Sequence, residues 1–262
     1  MILTPDLVFV HYPKTGGTFV TEVLSRVYGG REGAFLNTNK HGTWDKHNPC
    51  SHIPEEHRRK PIVSVTRNPF ERYVSQYCFR WWVLHPDSYC EVDEMRSLYP
   101  HYPDLTFAEF LNLANTKFLA FDRGRPTVYV NRNVPPGREL GWHTREFVRF
   151  FFREPQEAYA RLDESSIERE HLRRLMYPVT FLPIERLNDT LYELLLEHGH
   201  PPERIDFIRS MGKMFPAEGG REPGDHWERY YTPELLEFVR VRERLLFELF
   251  PQYDKVEKAL YA

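Results

Sequence analysis

The sequence predicts a single α/β domain with a central parallel sheet and helices on both faces, and two strand-to-helix units carry that reading. In the first, Leu7-Val8-Phe9-Val10 is continuously apolar, as suits a strand covered on both faces, and Gly16-Gly17 marks the turn after it. A helix follows. Phe19, Val20, Val23, Leu24, Val27 and Tyr28 fall on one face, and Gly29-Gly30 ends the run. In the second unit, Ile62-Val63-Ser64-Val65 leads through Thr66-Arg67 to Asn68-Pro69, where Asn caps a helix and Pro fits its first turn.

The apolar side of that second helix is Phe70, Tyr73, Val74, Tyr77, Cys78 and Trp81, which leaves Arg72, Ser75 and Phe79 together on another side. From His85 to Asp104 the chain is rich in Pro, Tyr and acids without periodicity, and reads as a long loop or insertion. Short helices are expected at 107–114 and 145–152, a strand at 177–182 and a helix at 188–197 stopped by Gly199. Met211 to His226 is Gly-rich and reads as a mobile loop. A last helix runs from Thr232-Pro233-Glu234 to Leu249.

A chain of 262 residues can bury one sizeable core. Its 41% hydrophobic and 28% charged residues are those of an ordinary soluble protein, and the net charge of −3 argues against a nucleic-acid partner. Cys50, Cys78 and Cys90 show no pairing or metal-ligand spacing and read as free thiols. The apolar run at the N-terminus is too short for a signal peptide or a transmembrane segment, so a cytoplasmic enzyme is expected.

Pro13-Lys14-Thr15-Gly16-Gly17-Thr18 lies where the first strand feeds its helix. Backbone N–H groups at a helix start converge on an anion that the helix dipole also favours. Lys14 adds a full charge, the glycines allow close approach of the backbone, and Thr15 and Thr18 offer hydroxyls, which together suit a phosphate or phosphosulfate. The loop is P-loop-like but inverted. In a Walker A loop the Lys follows the glycines and a Ser or Thr after it holds Mg²⁺, whereas here the Lys precedes them.

His11-Tyr12-Pro13-Lys14-Thr15-Gly16-Gly17-Thr18 resembles the 5′-phosphosulfate loop of sulfotransferases that use 3′-phosphoadenosine-5′-phosphosulfate (PAPS), the carbohydrate sulfotransferase branch in particular. The stretch from Val65 to Tyr77 is similar to the same family's 3′-phosphate motif, in which an Arg and a Ser eight positions later hold that group. Here those are Arg67 and Ser75. Phe181 to Leu187 and Tyr230 to Phe250 also resemble the family's C-terminal half, so that residues 1–80 and 177–253 form the matching core of one domain spanning 1–262. The unmatched 85–154 is then an insertion that sets acceptor specificity. The resemblance implies PAPS as donor, PAP as product, no required metal, and Lys14, Thr15, Gly16, Gly17, Thr18, Phe19, Arg67 and Ser75 as the cofactor-binding residues. The acceptor is a small molecule or a carbohydrate.

An acceptor hydroxyl needs a base, and histidine is the side chain most readily poised near neutral pH. Asn39-Lys40-His41-Gly42-Thr43-Trp44 resembles the place where several carbohydrate sulfotransferases keep their catalytic histidine, which makes His41 the expected base, with Lys14 as its catalytic partner on the leaving group. His47, His52 and Glu71 stand behind it. His11 reads as a buried structural residue, Trp81 and Trp82 as core, Arg123, Arg125, Arg132 and Arg138 as solvated or as contacts for an anionic acceptor, and Lys213 as part of a loop over the nucleotide. Two rivals share these features: a small-molecule kinase using ATP, and a nucleotide-binding module without catalysis.

Overall fold

The computed structural model describes residues 1–29, 36–37, 44–122, 125–212, 214 and 224–254. In chain order its elements are β1 (Ile2–Leu3), β2 (Val8–Phe9), α1 (Gly17–Tyr28), β3 (Leu36–Asn37), β4 (Ile62–Thr66), α2 (Pro69–Phe79), α3 (Trp81–Leu84), α4 (Val92–Leu98) and α5 (Phe107–Leu113). The hairpin strands β5 (Phe121–Asp122) and β6 (Arg125–Pro126) follow, then α6 (Trp142–Phe151), α7 (Pro155–Arg161), α8 (Arg169–Leu175) and β7 (Val179–Pro183). The chain continues through α9 (Leu187–Glu197), α10 (Pro202–Ile205), α11 (Phe207–Ser210), α12 (Pro233–Arg242) and α13 (Arg244–Leu249). The fold is α/β.

The main sheet has the order β3-β1-β2-β4-β7. β2, β4 and β7 are parallel, as expected, while β1 runs antiparallel to both β2 and β3. The antiparallel margin comes from a tight turn that the sequence reading missed. Thr4 Oγ1 donates to Leu7 O at 2.8 Å and accepts from Leu7 N at 3.0 Å, and so short a connection can only fold a strand back on itself.

The chain divides into two compact units, the first comprising Met1–Arg67, Phe150–Arg153 and Met176–Phe215 and the second Asn68–Arg149, Glu154–Leu175 and Pro216–Ala262. In the first, alternation along the strands sends Phe9, Val63, Val65 and Leu182 to one sheet face, where α1, α9, α10 and α11 cover them. The other face takes the last residues of α6: Phe151 meets Phe181 and Tyr12 edge-on at 4.9 and 5.2 Å.

The second unit is helical, and its interior is partly ionic. The single final helix expected from Thr232 to Leu249 is broken at Glu243 (φ −105°, ψ 19°) into α12 and α13. The break turns the Glu243 carboxylate inward to the start of α6, where it accepts from Thr144 N and Thr144 Oγ1, both at 2.7 Å, from His143 N at 3.2 Å and from the Tyr73 hydroxyl at 2.5 Å. An anion at a helix start is where the dipole favours it. Gly141 makes room: a Cβ there would sit 2.1 Å from Glu243 Oε1. Burial nevertheless raises the Glu243 pKa against these donors.

Helix α2 is tied to the same cluster. Its cap is as read, with Asn68 accepting from Phe70 N at 3.0 Å and Pro69 following. Tyr73 stacks on His143 at 3.7 Å, and His143 Nε2 meets Gln76 Oε1 at 2.5 Å. Arg72 departs from expectation. The sequence pattern puts it with Ser75 and Phe79 on a side other than the apolar one, yet it is 2% exposed, with the buried Glu146 carboxylate as its counter-charge. Within the stretch read as a loop, 92–98 forms α4, and α7 and α8 occupy sequence given no element. All three cysteines are free thiols, and no helix among the described residues is long and apolar enough to cross a membrane.

Burial opposes the charge of Glu146, but Arg149, Arg145 and Arg72 outweigh it and bring the carboxyl from its ordinary 4.5 to about 2. A carboxyl depressed in the folded state stabilises above its unfolded pKa, and that contribution disappears as pH falls through the folded value. The window is therefore pH 4.5 to 2, and the shift is worth on the order of 3 kcal/mol. Urea unfolding should show Glu146→Gln less stable than wild type at pH 7, with the gap closing as pH falls toward 2. A gap constant over that range would deny Glu146 this role.

Candidate active site

The first unit places a sharp chain reversal at the carboxyl end of β2. Val10 N is still bonded to Val63 O at 2.9 Å, so the strand geometry persists one residue past β2. Then Lys14 (φ 63°) and Gly16 (φ 99°) both adopt the left-handed conformation, and α1 begins at Gly17. Gly16 meets this at little cost, whereas for Lys14 the conformation costs roughly 1–2 kcal/mol. Two hydrogen bonds hold it. Thr15 Oγ1 donates to Tyr12 O at 2.9 Å inside the turn, and Arg67 Nη1 donates to Lys14 O at 3.1 Å from the end of β4.

Parallel pairing explains why Arg67 can do this. β2 and β4 are neighbours in register, so the residue after β4 and the loop after β2 leave the sheet at the same edge. That edge, beyond the carboxyl ends of parallel strands, is where open α/β sheets take their ligands. The N–H groups that open α1 lie at the positive end of the helix dipole. The Arg67 guanidinium reaches this edge through the Lys14 carbonyl, an arrangement of donors that suits an anion.

Two of the residues expected at the cofactor are engaged within the fold. Thr15 is 1% exposed and its hydroxyl proton goes to Tyr12 O, so it shapes the loop and offers no side-chain donor outward. Phe19 lies in the core beneath the sheet, and its N–H is bonded to Gly16 O at 3.0 Å. Thr18 is exposed, and Gly16 and Gly17 shape the loop as read. Ser75 lies half-buried on α2 of the second unit. His41, Lys213 and Arg123 lie outside the described residues.

Gly17 has a function the sequence does not reveal. The ring of His11 packs against it so closely that a Cβ would stand 2.1 Å from His11 Cδ2 and 2.3 Å from Nε2. His11 is buried as expected, and burial, followed by the nearby His47, Lys46 and N-terminal charges, holds its pKa well below the ordinary histidine value. It is therefore neutral. His47 meets the His11 ring edge-on at 4.8 Å, and its Nδ1 lies 2.9 Å from His11 O. His52 is exposed, its Nδ1 3.2 Å from Ser51 Oγ.

Of the other candidates, Trp82 is core and Trp81 half-buried, stacked on Phe79 at 5.7 Å and tilted against His85 at 3.9 Å. Arg138 is engaged by Glu164, while Arg125 and Arg132 are exposed.

The fold and this edge define an α/β protein with an anion-receiving strand–loop–helix backed by an arginine from the adjacent strand. Residues 3–132 match the model of the sulfotransferase family. The chain belongs to that family. Neither a curated protein nor a solved structure shows a significant match.

The contact between Gly17 and His11 can be tested by a double-mutant cycle. Gly17→Ala forces a methyl into the His11 ring and should lower stability by about 1–3 kcal/mol, as overpacking does. In the background of His11→Ala the same substitution should cost much less. Strictly additive losses in thermal unfolding would show that the two positions are not in contact.

Proposed function

We propose that this sulfotransferase-family protein moves the sulfuryl group of PAPS onto a hydroxyl of a carbohydrate or of another small glycosylated or lipid acceptor. The observation that carries this reading is the left-handed Lys14–Gly16 turn, clamped by Arg67 through the Lys14 carbonyl. Bound PAPS supplies an activated sulfuryl on a phosphate leaving group. Lys14 and the N–H groups at the start of α1 neutralise the charge that develops on that phosphate as the bond to sulfur breaks. Because they are fixed beforehand, no reorganisation is needed at the moment of reaction. Arg67 presents a planar fork to the 3′-phosphate, the group that separates PAPS from ATP, and the sequence motif adds Ser75 to the same task.

A terminal sulfuryl carries less negative charge than a phosphoryl group, so the cations of the loop suffice without a divalent ion. The acceptor must approach in line with the breaking bond and lose its proton to a base. A histidine of the 41–52 stretch takes that proton, His41 being the sequence candidate. The acceptor itself is selected within the segment 85–154, by the stretches that connect its helices, where sequences are freest to vary.

PAP should raise the melting temperature through mass action, by an amount equivalent to about 2.7 kcal/mol at a hundredfold excess over Kd, while ATP at equal concentration does little. Arg67→Ala should remove most of the PAP shift. Equal shifts from ATP and PAP would return the kinase rival, and PAP binding without transfer to any acceptor pool would favour a binding module.

Transfer from labelled PAPS should also persist in EDTA, since the charge on the leaving phosphate is met by Lys14, Arg67 and backbone N–H groups. Complete loss in EDTA, restored by Mg²⁺, would overturn that assignment.

A further inference from the structure

We propose that Ser64 is a positioning residue for the cofactor loop: it fixes where the chain leaves the sheet to become the left-handed turn. The consequence for PAPS rests on the sulfuryl-transfer reading, whereas the geometry stands on the first unit alone. β4 lies between β2 and β7, and a strand so placed is expected to be apolar throughout. Ser64 interrupts it between Val63 and Val65 and is fully buried. A hydroxyl in that position needs an acceptor, and it has one across the sheet: Ser64 Oγ donates to Val10 O at 2.8 Å.

Val10 is the point of departure. Its N–H still bonds Val63 O, but Tyr12 N donates back to Val10 O at 3.0 Å and closes a tight bend over His11. The Val10 carbonyl therefore accepts twice, once from the bend and once from β4, which fills both of its lone pairs. The Tyr12 bond belongs to the bend and moves with it, whereas the Ser64 bond ties the same carbonyl to the sheet. From there the bonds run on into the turn. Thr15 Oγ1 donates to Tyr12 O, and Arg67 Nη1 to Lys14 O, so the β4 chain grips this segment at its root through Ser64 and at its crest through Arg67. The Tyr12 ring is wedged edge-on against Phe150 and Phe151 at 5.1 and 5.2 Å, so the bend is held on the side-chain side as well.

Ser64 touches no ligand in this role and acts through the loop alone. Without its bond the root of the loop can shift against β4 while Arg67 still holds the crest. The donors after Val10 then sample several orientations, and affinity falls because they are no longer fixed before the cofactor arrives. Thr4 supplies the comparison. Its buried hydroxyl makes the same kind of bond, to Leu7 O at 2.8 Å, but in the turn that precedes β2, at the opposite edge of the sheet from the loop.

The test compares Ser64→Ala with Thr4→Ala in the whole chain. Each removes one buried hydroxyl donor from a main-chain carbonyl, so both should lower the melting temperature. In calorimetric titration, PAP should bind Ser64→Ala about 3- to 10-fold more weakly, the change that one ordinary hydrogen bond is worth, and should bind Thr4→Ala like wild type. The KM for PAPS should rise by the same factor while the KM for the acceptor stays where it was. With no nucleotide present, amide hydrogen exchange over residues 12–17 should be faster in Ser64→Ala and unchanged in Thr4→Ala. Ser64→Cys, which keeps a weak donor, should fall between Ser64→Ala and wild type, and it carries the comparison if Ser64→Ala does not fold. A wild-type protein that binds no PAP refutes the donor reading, whereas exchange over 12–17 still judges Ser64. The proposal falls if that exchange is the same in Ser64→Ala as in wild type, or if Thr4→Ala weakens PAP as much as Ser64→Ala does.

Discussion

The reversal between Lys14 and Gly16 is the constraint on which the site depends. A strand that ends at one sheet edge must become a helix within a few residues, and two left-handed positions achieve it. The conformation of Lys14 is unfavourable alone, so it persists only because its neighbours determine it: Thr15 closes the turn onto Tyr12, and Arg67 grips the Lys14 carbonyl. The guanidinium that clamps the turn also contributes charge to its edge. Shape and electrostatics therefore have a common origin, and loosening one loosens the other.

The second unit solves a different problem, that of keeping charges where water is excluded. Glu243 and Glu146 are both buried, but their partners differ in kind. Glu146 faces arginines, whose full charges outweigh desolvation and hold its pKa down. Glu243 faces neutral donors, which satisfy its oxygens without overcoming burial, so its pKa goes up. Both clusters reach α2: Arg72 supplies charge beside Glu146, and the Tyr73 hydroxyl bonds Glu243. A helix whose inner side is bonded at several points keeps its outer residues, Ser75 among them, in fixed positions.

What the sequence revealed was local. Asn68-Pro69 announces the start of α2 because a cap acts within one turn, and the glycines after Lys14 announce a turn because backbone freedom is a property of the residue itself. What it concealed was distant in the chain. Glu243 fits the helical pattern on either side of it, and only the appearance of α6 about a hundred residues earlier explains why the helix breaks there. Arg72 reads as a surface charge until Glu146 is brought to it. Gly17 reads as a second turn glycine, although Gly16 carries the positive φ and Gly17 is needed for the His11 ring. Short strands such as β1 and β3 carry too few residues for a period to show.

The burial of His11 ties these observations to chemistry. A histidine touching the first residue of an anion-receiving helix could have served as one more cation, and in water it would titrate near neutral pH. Packed against Gly17 and surrounded by the positive charges of Lys46 and the N-terminus, it loses that option and becomes a neutral spacer. The positive potential of the edge then comes from Lys14, Arg67 and the helix dipole.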